Sequence, residues 1–175
     1  MCDGPPDKRG EKHASDESRK SRLSSIRIIG LGNEFRGDDA VGLLAARRIR
    51  ERIGSHIQVV EAESAGVELL DLMKDAHTVF LIDALCSGKV PGTIHRLDVL
   101  AGPIASNLFP RSSHAIGVGE VLELARTLGV LPATVIVYGI EVGNTELGQP
   151  LSSSVAKALD QVVDQIVQER EACRA

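Results

Sequence analysis

Three side chains in this sequence have the types and positions to hold a divalent cation or move a proton: Asp39, Asp83 and His114. Asp39 sits beside a second aspartate, Asp38, in the glycine-framed stretch GLGNEFRGDDAVG, Gly30 to Gly42. Asp83 lies toward the end of an apolar strand, in FLIDAL, where a charge needs a partner or a task. His114 lies in SSHAIGVGEVLELARTLG, after a loop containing Pro103 and Pro110. Two carboxylates and one imidazole suit divalent zinc, nickel or iron with coordination positions left open. Each residue also has a plainer use. Asp38 can cap a helix, Asp83 can accept backbone or serine hydrogen bonds, and His114 can be a first-turn polar residue beside Ser112 or Ser113. Capping by Asp38 and ligation by Asp39 are compatible. Cys86, three residues past Asp83, reads as an inert small hydrophobe rather than a ligand.

The glycine turn does not fit a phosphate. A dinucleotide loop needs G-x-G-x-x-G, and here Gly30 and Gly32 are followed by Phe35 in place of the third glycine. A pyrophosphate would seat at a helix N-terminus, where Asp38 and Asp39 already place negative charge. No Gly-Lys-Ser/Thr follows, which excludes a P-loop. There is likewise no G-x-S-x-G and no H-E-x-x-H.

These residues must be positioned by alternating strands and helices. IRIIGLG from Ile26 is a buried strand, and residues 39–53 carry Val41, Leu44, Ala45, Ile49 and Ile53 at helical spacing. The other face of that helix shows Arg47, Arg48, Arg50 and Arg52, expected to be solvated; its functional alternative is an acidic partner. Residues 56–62 form a second strand, 66–75 a short helix, and 77–85 a third strand, apolar throughout and so buried on both faces. Residues 93–99 follow too closely for a crossover helix, so this fourth strand should pair antiparallel at an edge. A helix starting near Ser113 or His114, a fifth strand over 134–142 and a closing amphipathic helix complete the pattern. The fold class is α/β: a three-layer αβα sandwich with about five strands, mostly parallel and twisted. Ligands in such sheets lie outside the carboxyl ends of the strands. The first and third strands run parallel, so Asp39 and Asp83 emerge at one edge. His56 and His77 open strands and lie at the other edge, His95 lies within the antiparallel strand, and His13 lies in the N-terminal segment.

Composition narrows the function. The chain has 175 residues, enough for one domain with a real core. Residues 1–25 are charged and nearly free of apolar side chains, which predicts a disordered tail before a single domain over 26–172. Aromatics are scarce and the net charge is −4, so neither base stacking nor a basic footprint supports nucleic-acid binding. No apolar run has the length of a membrane span, and the polar N-terminus lacks a secretory h-region. Cys2, Cys86 and Cys173 form no C-x-x-C, which fits a reducing compartment; a cytoplasmic location is expected.

GLGNEFRGDDAVG, LIDAL and SSHAIGVGEVLELA, taken together and in this order, resemble the hydrogenase maturation proteases over roughly residues 26–170. The resemblance implies a twisted mixed sheet between helical layers. It also implies an endopeptidase that trims the C-terminus of a [NiFe]-hydrogenase large-subunit precursor once nickel has been inserted. Nickel would then be carried by the precursor rather than held permanently by this protein. The family's metal-contacting triad maps onto Asp39, Asp83 and His114, its first position being Glu in some members and Asp in others. Gly32, Asn33 and Gly37 are expected to contact substrate. Asp38 or Asp39 would supply the base, or metal-bound water the nucleophile; the sequence does not choose. The resemblance also implies a monomer. Two other classes keep the same residues: a nickel-delivering chaperone that cuts nothing, and a metallohydrolase acting on small amides.

Overall fold

The computed structural model describes residues 26–55, 57–63, 65–105, 108–109 and 117–172. The segment 1–25, expected to be a disordered tail, lies outside the described residues, as do His56, His114, Cys2 and Cys173.

Five strands form one sheet: β1 (Ile26–Leu31), β2 (Gln58–Ala62), β3 (Thr78–Leu85), β4 (Ile94–Asp98) and β5 (Thr134–Glu141), in the order β2-β1-β3-β5-β4. All neighbours are parallel except β4, which runs antiparallel to β5 at the edge. The expected α/β class, the mostly parallel sheet and the antiparallel edge strand are therefore present. Chain order does not reveal that β5 inserts between β3 and β4.

Among the described residues, four α-helices cover the sheet: α1 (Val41–Ile53), α2 (Glu68–Met73), α3 (Val118–Leu128) and α4 (Ser153–Ala172). Alternation along the strands divides the core in two. Ile28, Phe80, Ile82, Ile136, Tyr138 and Ile140 pack with apolar residues of α1 and α4. Ile29, Leu81, Leu85, Val135 and Val137 pack with those of α2 and α3. Both faces are covered, which is why β1, β3 and β5 read as continuous apolar runs.

The arginine face of α1 is not merely solvated. Arg48 and Arg52 pair with Asp160 and Asp164 on α4, Arg50 with Glu61 at 2.6 Å, and Arg47 with Glu61 at 2.7 Å and Glu34 at 2.8 Å. The acidic partner is the chain itself. These arginines are about half exposed, so each pair contributes roughly 0–1 kcal/mol.

Helix α3 begins at Val118 rather than near Ser113, because Gly117 is still extended (ψ 166°). Its N–H donates to Glu120 Oε2 at 3.0 Å, and the buried stripe Val118, Val121, Leu122 and Ala125 starts there.

Helix α1 lies almost on the backbone of the sheet. A Cβ at Gly42 would stand 2.2 Å from Leu31 O and 2.3 Å from Ile82 O; one at Gly30 would stand 2.1 Å from Gly42 O. Main-chain atoms cannot rotate away. Gly42→Ala is therefore expected to destabilise the fold by about 3 kcal/mol, read as a lowered urea midpoint at unchanged m-value.

Candidate active site

Strand β1 ends at Leu31, and its turn is built by backbone hydrogen bonds. Gly32 N–H donates to Ala62 O at 3.3 Å, Asn33 N–H to Asp39 O at 3.2 Å and Arg36 N–H to Asn33 O at 3.1 Å. The Asn33 side chain accepts from Phe35 N–H at 3.0 Å. Gly32 has φ 142°, and a Cβ there would lie 2.0 Å from Asp39 O. Gly37 has φ 53° and presses on Asn144 O. The three residues expected to contact substrate thus shape the turn that presents Asp39.

The helix expected from Asp39, with Asp38 as its cap, begins differently. Gly37–Ala40 is a 3-10 turn preceding α1, and Asp38 makes no cap bond within it. The fully buried Asp38 carboxylate instead accepts from Gly143 N–H and Asn144 N–H at 3.0 Å each and from Ser152 N–H at 2.7 Å. Asp38 N–H donates back to Asn144 O at 2.8 Å. Burial opposes its ionisation, yet the Asn144, Ser152 and Gly143 amides hold the carboxyl below its usual range. Three oriented donors outweigh anything a single helix cap offers. Asp38 ties the β1 turn to the segment joining β5 to α4.

Asp39 is partly buried, and its carboxyl is raised by that burial, offset in part by the Arg36 charge and the Asn33 amide. Asp83 is 8 % exposed near the end of β3 and accepts from Ala84 N–H at 2.8 Å. Burial pushes its carboxyl up to about 8; the Ala84 amide opposes this, and the charge on Asp39 adds to it. The two carboxylates are therefore in electrostatic reach at the carboxyl edge of the parallel strands. Strand alternation sets Asp83 on the face covered by α2 and α3, and His114 precedes α3 in the chain. His77 directly precedes β3 and so stands at the opposite edge, as expected. Among the described residues, no group of three or more His, Cys, Asp and Glu is placed to hold a metal ion. Asp39 and Asp83 are the two carboxylates of the expected triad, and its third member, His114, lies outside the described residues.

Two residues are placed differently from the sequence reading. Cys86 is exposed rather than packed, and its thiol is pushed up by burial of its sulfur end and by Glu141, Asp39 and Asp83. Its N–H donates to Leu108 O at 2.7 Å, which anchors the long loop leading toward α3. Glu141, at the end of β5, was not singled out. It is 2 % exposed and accepts from Ser87 N–H and Oγ–H at 3.1 and 2.8 Å, from Gly88 N–H at 2.7 Å and from Lys89 N–H at 3.0 Å. Burial works against its charge, but these donors keep the carboxyl low. Glu141 closes TVIVYGIEV as Asp83 closes its own apolar run; an acid at the end of a fully buried strand was the available signal.

The site thus lies where two buried carboxylates, Asp38 and Glu141, fix the loops around Asp39 and Asp83, whose carboxyls are both raised. The hydrogenase maturation protease family model matches residues 41–169.

The chain belongs to the hydrogenase maturation protease family.

It is 25% identical over 147 residues to the hydrogenase 2 maturation protease of Escherichia coli strain K12, covering 81% of this chain and 88% of that one. It is 28% identical over 118 residues to the hydrogenase expression/formation protein HupD of Thiocapsa roseopersicina; that match covers 66% of this chain and about half of the relative, 53%. The hydrogenase maturating endopeptidase HybD from E. coli superposes with a TM-score of 0.70 at 24% identity, over 84% of this chain and 93% of that one. The mixed five-stranded sheet is thus the maturation-protease fold, and the family is one of peptidases.

The raised Asp83 carboxyl makes stability depend on pH. Between its ordinary value of 3.8 and about 8, the folded protein keeps a proton that the unfolded chain has lost. Unfolding then releases a proton, and stability falls as pH rises through that window, levelling above it. The stability difference between wild type and Asp83→Asn is expected to shift in the variant's favour from pH 4 to pH 8 and then stay constant, measured by urea unfolding in metal-free buffer.

Proposed function

We propose that this protein is an endopeptidase that removes a C-terminal peptide from the nickel-loaded precursor of a [NiFe]-hydrogenase large subunit, acting in the cytoplasm as a monomer. The observation that carries the reading is the convergence of Asp39, from the 3-10 turn that follows β1, and Asp83, from the parallel strand β3, at one edge of a maturation-protease fold. Two carboxyls in partial burial, each raising the cost of the other's charge, favour the approach of a cation. Nickel held by the precursor's own residues would supply that cation. In this reading Asp83 and His114, with Asp39, meet its open coordination positions. Docking and the reading of metal loading are then a single event.

Peptide hydrolysis needs a base for the attacking water and an acid for the leaving amine. Asp39 is partly exposed, and the amide that acts on its carboxyl is that of nearby Asn33. It takes the proton as water adds to the scissile carbonyl carbon, and returns it to the departing nitrogen as the C–N bond breaks. Asp38 is unsuited to that task, since its carboxylate is buried and taken by three N–H groups. It positions Asp39 instead.

The test is incubation of the purified protein with nickel-loaded and nickel-free precursor, read by intact mass. Loss of a C-terminal peptide from the loaded form alone is the expected result. Equal cleavage of both forms removes the metal gate, and cleavage of neither removes the peptidase reading. A chaperone would leave both masses unchanged.

A further inference from the structure

The aromatic side chains of this chain are few, and Phe80, Phe109 and Tyr138 are at most 3 % exposed. Phe35 is 65 % exposed, in the turn that leads to Asp39. Leu147 and Val90, each 75 % exposed, stand on the two other loops at the same edge of the sheet. These loops are packed on one another. Gly148 N–H donates to Phe35 O at 2.8 Å, Asp38 binds Gly143 and Asn144, and a Cβ at Gly143 would meet Pro91 at 2.9 Å. The backbone around Phe35 is also committed, since its N–H is taken by Asn33 and its carbonyl by Gly148. The apolar side chains therefore project from loops already fixed, and ordering them on binding costs little entropy.

We propose that Phe35 and Leu147, flanked by Val90, are the docking surface for an apolar segment of the precursor polypeptide next to its cleavage site. The claim rests on the proposed function and adds where the substrate chain lies. A polypeptide whose scissile bond reaches Asp39 must cross this edge, and the exposed rim is continuous with the turn carrying that residue. Clustered exposed apolar side chains beside a polar centre mark interaction surfaces, whereas singly scattered ones do not. Exposed apolar residues elsewhere, such as Leu128, occur without a neighbouring site and serve as the control.

The experiment measures affinity for purified nickel-loaded precursor by biolayer interferometry, in an Asp39→Asn background that blocks turnover, and KM and kcat in the otherwise wild-type protein. Phe35→Ser combined with Leu147→Ser is expected to weaken binding at least tenfold and raise KM to match, with kcat within twofold and the urea midpoint unchanged. Leu128→Ser should alter none of these. Unchanged affinity in the double variant, or a loss equalled by Leu128→Ser, overturns the docking surface while leaving cleavage, and so the peptidase reading, intact. If the wild-type protein binds precursor without cutting it, the peptidase reading fails, and the double variant's affinity still decides the surface. Neither binding nor cleavage of the precursor by the wild-type protein overturns both.

Discussion

Asp39→Ala is expected to lower the rate of precursor processing by on the order of 10²–10⁴-fold, the usual loss when a positioned proton acceptor is removed. Asp39→Asn should do nearly the same, because an amide keeps the shape and loses the basicity. Asp83→Asn is the sharper experiment. Its side-chain oxygen still accepts from Ala84 N–H, so the end of β3 keeps its geometry. Yet it carries no charge to offer a cation, and it no longer burdens the fold with a buried acid. Processing should therefore collapse while stability near neutral pH is held or improved, a pairing that no general unfolding produces. Kinetics by mass spectrometry and urea unfolding on the same preparations check both halves. Wild-type processing by both Asp39→Ala and Asp83→Asn would dismiss the site.

The second large effect concerns the two carboxylates held by backbone amides, Asp38 and Glu141. Asp38→Ala leaves the Gly143, Asn144 and Ser152 N–H groups without their acceptor in part-buried surroundings. Charged hydrogen bonds of this kind contribute about 1.5–3 kcal/mol each, with incomplete additivity, so a loss of about 3–5 kcal/mol is expected. Asp38→Asn retains one acceptor oxygen and should recover part of it. Glu141→Ala should cost a comparable amount by freeing the Ser87, Gly88 and Lys89 amides. Both carboxyls are depressed in the folded protein. Their contribution is present above the ordinary carboxylate range and is lost as acid protonates them below it. Urea midpoints at pH 7 and pH 3 should show both variants closing on the wild type in acid.

Much of this was legible in the chain because period and polarity are local properties. The runs ending in Leu31, Leu85 and Glu141 declared themselves as buried strands, and the short connection before Ile94 declared an antiparallel edge. Asp83 stood out as a charge inside an apolar run. The role of Asp38 did not, since its partners lie 105 to 114 residues away and are backbone amides, which have no residue signature. Glu141 escaped for the same reason, although its position matched that of Asp83. Arg48 and Arg52 of α1 found acids 112 residues distant, because α1 and α4 share one face of the sheet. Local pattern fixes which elements exist; which of them touch depends on strand order.

That order carries a consequence for synthesis. Strand β5 is translated after β4 but lies inboard of it, against β3. Glu141 and the amides of residues 143–152 are what clasp the loops beyond Asp83 and before Asp39. A growing polypeptide therefore cannot complete the clasp around Asp38 until Ser152 has cleared the ribosome, so the turn that presents Asp39 is fixed late in synthesis.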